Sequence, residues 1–156
     1  MKRPRRQSAQ QMRSPSFGGC MLRTETKARA RALQILYSYE IGTVDLKDAV
    51  TRLARLTGPD PAVYDQAEVL AEAVVRDRDA LDRQAALAAD NWRLDRIAAV
   101  ERNILRIGIY ELMQGVVPPR VAIDEAVQLA HWFGGAKAPG FVNGVLDRVA
   151  HAVGRL

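Results

Sequence analysis

Apolar positions along this chain recur at helical spacing almost from end to end. Between Val121 and Phe133, the residues Ala122, Ile123, Ala126, Val127, Leu129, Ala130 and Phe133 share one arc of a 3.6-residue wheel, with Asp124, Glu125 and Gln128 opposite. Phe141, Val142, Val145, Leu146, Val149 and Val153 repeat the pattern, with Asn143, Asp147, Arg148 and His151 on the far side. The Gly- and Pro-rich segment between them contains Lys137 and ends at Phe141, so it predicts a loop presenting a cation and an aromatic ring together at a helix start. Upstream, Asp95 to Gln114, closed by Gly115, predicts a long helix. Its apolar set, Ile97, Val100, Ile104, Leu105, Ile107, Gly108, Ile109 and Leu112, covers more than half the circumference, as in a helix surrounded by others. Glu101 and Glu111 fall inside that arc, where an ionised carboxylate is costly unless paired or at an edge. Glu111 is therefore expected to act structurally, for example by accepting backbone N–H bonds from a neighbouring helix start. Glu101, nearer the rim, is open to a partner-facing role.

The remaining segments read the same way. KARARALQILYSYEI predicts a helix capped by Thr24 or Thr26 and stopped by Gly42. Its core face is Ala28, Ala32, Leu33, Ile35, Leu36 and Tyr39; Lys27, Arg31, Gln34 and Ser38 lie opposite, with Arg29 projecting from the same first turns. Tyr37 and Ile41 flank the polar side, either packed under a neighbouring loop or forming part of a docking surface. Asp45 opens a short helix to Leu56, ended by Gly58 and Pro59. Asp60 and Pro61 start another, because proline lacks an N–H where no intrahelical bond is needed. A break near Asp77 to Asp79 precedes a helix through Leu81 and Leu87, and Asn91 and Trp92 lead into the long helix. No strand-like alternation of useful length occurs, and the predicted fold is all-α, about seven helices around one core.

Composition narrows this picture. At 156 residues and 48% hydrophobic, the chain can bury one core. A single cysteine, Cys20, and two histidines at no metal-binding spacing point away from a disulfide framework or zinc module. No apolar run approaches the ~20 residues that span a bilayer, and none follows the basic N-terminus as a secretory signal requires, so a cytoplasmic protein is expected.

The net charge of +5 is unevenly placed. Lys2, Arg3, Arg5, Arg6, Arg13, Arg23 and Lys27 against the lone Glu25 give residues 1–27 a balance of +6, leaving residues 28–156 at −1. Residues 1–23 are expected to form a disordered basic tail and residues 24–156 the folded domain. Such a tail attracts polyanions without reading sequence; a solubilising extension, or translation starting at Met21, accounts for it as well. Trp132 lies by arc on the polar side of its helix, where it extends a stacking surface, marks a self-association patch, or is partly buried beneath the 134–140 loop. His131 reads as a solvated helix residue.

ARALQILYSYEIG, ERNILRIGIYELMQG, VPPRVAIDEAVQLA and GFVNGVLD, in this order and spacing, resemble the NusB family of bacterial transcription antitermination factors over about Lys27 to Val149. The resemblance implies two packed three-helix bundles. It also implies a protein, not an enzyme and without cofactor, that binds the boxA element of nascent ribosomal RNA with the small-subunit ribosomal protein acting as NusE, and that joins the RNA polymerase antitermination complex. By the same resemblance Lys27, Arg29 and Arg31 become phosphate contacts, although Thr24, Glu25 and Thr26 stand where many relatives carry more arginines. Tyr37, with Ile41 beside it, and Glu101 fall on the ribosomal-protein interface. Phe141 becomes a base-stacking ring, Lys137 a phosphate-attracting cation where some members carry aspartate, and Asn143 a structural hydrogen-bonding residue.

Two other classes compete. A similar helical domain precedes some RNA cytosine methyltransferases, but here no glycine-rich cofactor loop follows a strand, and Cys20 lies in the tail rather than on a scaffold. An adaptor that binds protein and never touches RNA fits the near-neutral body.

Overall fold

Two aspartates fix the early helix starts. Asp45 accepts a hydrogen bond from the Asp48 N–H at 2.8 Å and opens a helix over Leu46–Thr57 (α2); Asp60, followed by proline, opens Pro61–Arg76 (α3). The computed structural model describes residues 22–42, 44–89 and 94–156. Within them lie five further α-helices, Thr24–Ile41 (α1), Arg78–Ala88 (α4), Ala99–Gln114 (α5), Pro119–Phe133 (α6) and Ala138–Ala152 (α7), and no strand. The first 21 residues of the expected basic tail of residues 1–23, with Cys20, and also Asn91 and Trp92 fall outside the described residues.

α1 packs most extensively on α3, and also on α2 and α5; α5, α6 and α7 pack on one another, and α4 closes against α5 and α7. The result is two helical bundles joined across α1 and α5. Ile104, Leu105, Ile107, Ile109 and Leu112 of α5 are buried at the junction, as their broad apolar arc predicts. At Gly108, α5 comes so close to its neighbours that an added Cβ would lie 2.6 Å from Leu146 Cδ1 and 3.4 Å from Ala126 Cβ. Leu146 is fully buried, so relieving that contact requires its side chain to repack against its neighbours. Gly108→Ala is therefore expected to destabilise by about 1–3 kcal/mol despite alanine's better helix propensity, read as a lowered urea midpoint at unchanged slope.

The structure departs from the periodicity reading at several points. Neither Thr24 nor Thr26 caps α1: Arg23 occupies that position without a side-chain bond, and the Thr26 hydroxyl donates to Glu125 Oε1 at 2.9 Å. The expected polar face of α1 is largely inside. Arg29, Arg31 and Gln34 are all buried, whereas Tyr39, placed on the core face by its spacing, is exposed. The reason is that α1 is enclosed on several sides: Ala28, Ala30 and Ala32 let neighbouring helices approach closely, and the polar residues go in with partners. The long helix predicted from Asp95 is instead a 3-10 turn, Leu94–Arg96, followed by α5. The α6–α7 loop is shorter than expected, because α7 already begins at Ala138 and places Pro139, Gly140 and Phe141 within its first turns.

Candidate nucleic-acid interface

The entry to α1 carries the arginines that the family pattern marks, and their surroundings are acidic. Arg29 Nε donates to Glu111 Oε1 of α5 at 2.8 Å, and Arg29 Nη1 lies 3.8 Å from Glu125 Oε2 of α6. Burial pushes the Glu111 carboxyl above its ordinary value, opposed by the charge and hydrogen bond of Arg29. The second carboxylate oxygen of Glu111 is buried without a hydrogen-bond partner. Glu111 is thus structural as expected, with an arginine side chain rather than backbone amides as its partner. Arg31 donates to Gln34 Oε1 at 2.8 Å, and burial lowers its pKa from the ordinary arginine value, an effect opposed by Tyr64. Of the three cations placed on an exposed edge by sequence, Arg29 and Arg31 are therefore interior groups. Lys27 is half-buried, with exposed Arg23 one turn before it.

The far end of α6 brings together residues assigned to different faces. Glu101 Oε1 accepts the Gly135 N–H at 3.3 Å, fastening the start of α5 to the α6–α7 turn. Glu101, Lys137 and Phe141 then line one recess of about 220 Å³ with Arg96, Ile97 and Ala98. Lys137 is exposed and Phe141 half-buried. Glu101, expected on a partner face, and Phe141, expected on a nucleotide face, are neighbours here, because the turn folds back over the first turn of α5.

Tyr37 is buried, whereas Ile41, one turn on, is 61% exposed. Between them on the same end of α1, Glu40 ties into α5: its carboxylate accepts from Arg102 Nε at 3.1 Å and from Asn103 Nδ2 at 2.6 Å. Arg106 lies 3.5 Å from the same carboxylate and grips Asp82 of α4 with two bonds, at 2.7 and 2.9 Å. Sequence reading missed this network altogether. A clue lay in the three polar residues Arg102, Asn103 and Arg106 on an otherwise apolar helix. Asn143, expected to make a structural hydrogen bond, is exposed and has no such partner among the described residues. Trp132 is half-buried, but it lines a groove beside Leu22, Arg23 and Thr26 on the α1 side.

Among the described residues no helix is long and apolar enough to cross a membrane, and no group of three or more metal-ligating side chains converges. What the geometry offers is a helical scaffold with shallow surface recesses lined by cations and aromatic rings, the class of an all-α binding protein. Residues 26–151 match the NusB family model, and the chain belongs to the NusB family. The transcription antitermination protein NusB of Anaeromyxobacter dehalogenans is 41% identical over 131 residues, covering 83% of this chain and 92% of that protein. Its counterpart from Sorangium cellulosum is 42% identical over 129 residues, covering 82% and 92%. Among solved structures, a chain from the crystal structure of antitermination factors NusB and NusE in complex with dsRNA superposes with a TM-score of 0.75 at 27% identity, covering 85% of this chain and 99% of that one. NusB of T. maritima superposes with a TM-score of 0.72 at 28% identity, covering 81% and 89%.

Proposed function

We propose that this protein is a transcription antitermination factor. It binds boxA RNA of nascent ribosomal transcripts together with the ribosomal protein acting as NusE, and joins the RNA polymerase antitermination complex in the cytoplasm. The observation that carries this reading is the similarity along nearly the whole folded chain to NusB proteins, one of them solved with NusE and RNA. In this reading residues 1–23 are a basic tail and residues 24–156 the RNA-binding domain. Lys27 and Lys137 contact phosphates, and Phe141 stacks a base at the mouth of its recess. Arg29 and Arg31 act from inside, fixing α1 so that Lys27 and Arg23 face the transcript. On the other side, Ile41 supplies the apolar contact to the ribosomal protein, with Glu101 and the edge of Tyr37 completing that surface.

The interior placement of two arginines lowers the expected electrostatic contribution. With Arg23, Lys27 and Lys137 as the cations contributed by the described domain, the slope of log K against log salt for single-stranded RNA is expected near −2, from about −0.7 per neutralised phosphate. A gel shift with boxA and scrambled RNA, with the ribosomal protein present, should retard boxA selectively; equal retardation of both refutes sequence selectivity. Because Tyr37 is buried, Tyr37→Asp tests folding rather than docking. Ile41→Asp is the sharper probe: it should keep native helicity yet weaken calorimetric affinity for the ribosomal protein at least tenfold, by placing a carboxylate in an apolar contact. Unchanged affinity removes Ile41 from that surface.

A further inference from the structure

A groove of about 400 Å³ runs between the chain entering α1 and the outer edge of α6, lined by Leu22, Arg23, Thr26, Val121, Asp124, Glu125, Gln128 and Trp132. Three features of it bear on what it can hold. Trp132 forms part of its wall as a half-buried indole. Of its two carboxylates, Glu125 is engaged by Thr26 at 2.9 Å and faces Arg29, whereas Asp124 is exposed and has no ion-pair or hydrogen-bond partner among the described residues. Arg23 is an exposed cation in the same wall, and Lys27 follows one turn later.

We propose that this groove is a pocket for a single unpaired nucleobase: Trp132 stacks the base, Asp124 accepts a hydrogen bond from its exocyclic amino group, and Arg23 meets the adjoining phosphate. The proposal rests on the RNA-binding reading above and adds to it a base preference set by this chain's own residues. An indole offers a stacking face to any base, so it supplies affinity without selectivity. A carboxylate accepts and cannot donate, so facing C4 of the ring it favours cytosine, which donates two N–H bonds from N4, over uracil, whose O4 carbonyl it repels and whose single donor is the neighbouring N3–H. Gln128, which both donates and accepts, is placed to satisfy a second edge position. Glu125 faces Arg29, so the charges the groove itself offers an occupant are one acid, Asp124, and one cation, Arg23, a pairing that suits a base with its adjoining phosphate better than a peptide of a single charge sign.

The test compares oligo(C) with oligo(U) of equal length, which differ only on the base edge at C4 and N3, by fluorescence anisotropy on the full chain at low salt. The wild-type protein is expected to bind oligo(C) about three- to tenfold more tightly than oligo(U), the range for one ordinary hydrogen bond, because the acceptor, though charged, is exposed to water, and to show quenched tryptophan emission on binding. Trp132→Phe should remove most of the quench, and Trp132→Ala should weaken oligo(C) binding about tenfold, as for one lost base stack. Asp124→Asn, at an exposed position that leaves the fold intact, should bring the oligo(C) to oligo(U) ratio to about one. Loss of a negative charge favours every polyanion alike, so the ratio, not the affinity, is the readout. A wild-type ratio of one, a ratio unaffected by Asp124→Asn, or a quench that survives Trp132→Phe overturns the pocket. Stronger quenching by a synthetic arginine-rich peptide than by oligo(C) reassigns the groove to a basic polypeptide and overturns it equally. Gel shifts of the complex with the ribosomal protein separate the two levels. Selective boxA retardation alongside a flat homopolymer result removes the pocket and leaves the antitermination reading standing, whereas no RNA retardation at all removes both.

Discussion

Arg29→Ala should destabilise the protein by about 3 kcal/mol, and the loss should depend on pH. The substitution leaves the Glu111 carboxylate, whose side chain is 10% exposed, without the guanidinium that contacts it at 2.8 Å. Removing one partner of a buried pair generally costs about 3–5 kcal/mol, because the remaining charge is uncompensated. The low end is expected here, since Arg29 and Glu111 line an open recess of about 410 Å³, from which water can enter the space the guanidinium leaves. In a domain of this size the melting temperature should fall by about 10 °C. Glu111 already has its pKa raised by burial, with Arg29 as the main opposing influence, so the variant raises it further. A carboxyl with a higher pKa folded than unfolded binds its proton more tightly in the native state. Its stabilising contribution is therefore complete below the ordinary carboxylate pKa and is lost as pH rises from there through the folded value. Urea denaturation across that window should show Arg29→Ala closest to wild type in acid and furthest from it at neutral pH. A variant as stable as wild type at neutral pH, and defective in RNA binding alone, would return Arg29 to the role of a phosphate contact.

Arg106→Ala is expected to cost about 2–3 kcal/mol and to loosen a different joint. Arg106 ties α4 to α5 through its paired bonds to Asp82, supports the Asn103 carboxamide at 3.1 Å, and approaches Glu40 of α1. Glu40 stands at the C-terminal end of α1, where the helix dipole disfavours an acid, and is held by the opening turns of α5, where the dipole favours one. Removing Arg106 leaves Asp82 unpaired and Asn103 short of a donor. The acids are about a quarter exposed, which places the cost below that of a fully interior pair. A double-mutant cycle with Asp82→Ala should give a coupling of at least about 1 kcal/mol. A coupling near zero would mean that the two-pronged contact is surface decoration. Because this network lies at the Ile41 end of α1, the same variant should weaken ribosomal-protein docking before it affects RNA binding.

These two centres also show how far the primary structure can be read. Helix positions are local properties, and the signals for them are local: Asp45 and Asp60 as caps, Pro61 at a first turn, and Gly115 in the left-handed conformation at φ 71° closing α5. The apolar arcs of α5, α6 and α7 predict their buried faces almost residue for residue, since a repeat of 3.6 maps directly onto one side of a helix. The order and spacing of the four motifs is sufficient to place the chain in its family. The arginines of α1 could not be placed that way. Periodicity assigns a polar residue to solvent, and it fails where tertiary packing encloses the residue: Arg29 meets Glu111 82 positions away, and Arg31 is covered by neighbouring helices although its partner Gln34 is only three residues on.

What the chain determines by itself is therefore the number of helices, their apolar sides and the family they build, because each follows from short-range spacing and from caps within a few residues. The packing of the two bundles decides which charges are interior, that Glu101 fastens the turn beside Phe141, and that Trp132 meets Arg23 and Asp124 across a groove. Those outcomes depend on which helices enclose α1 and on charges finding partners out of water, and both are set by contacts between segments far apart along the chain.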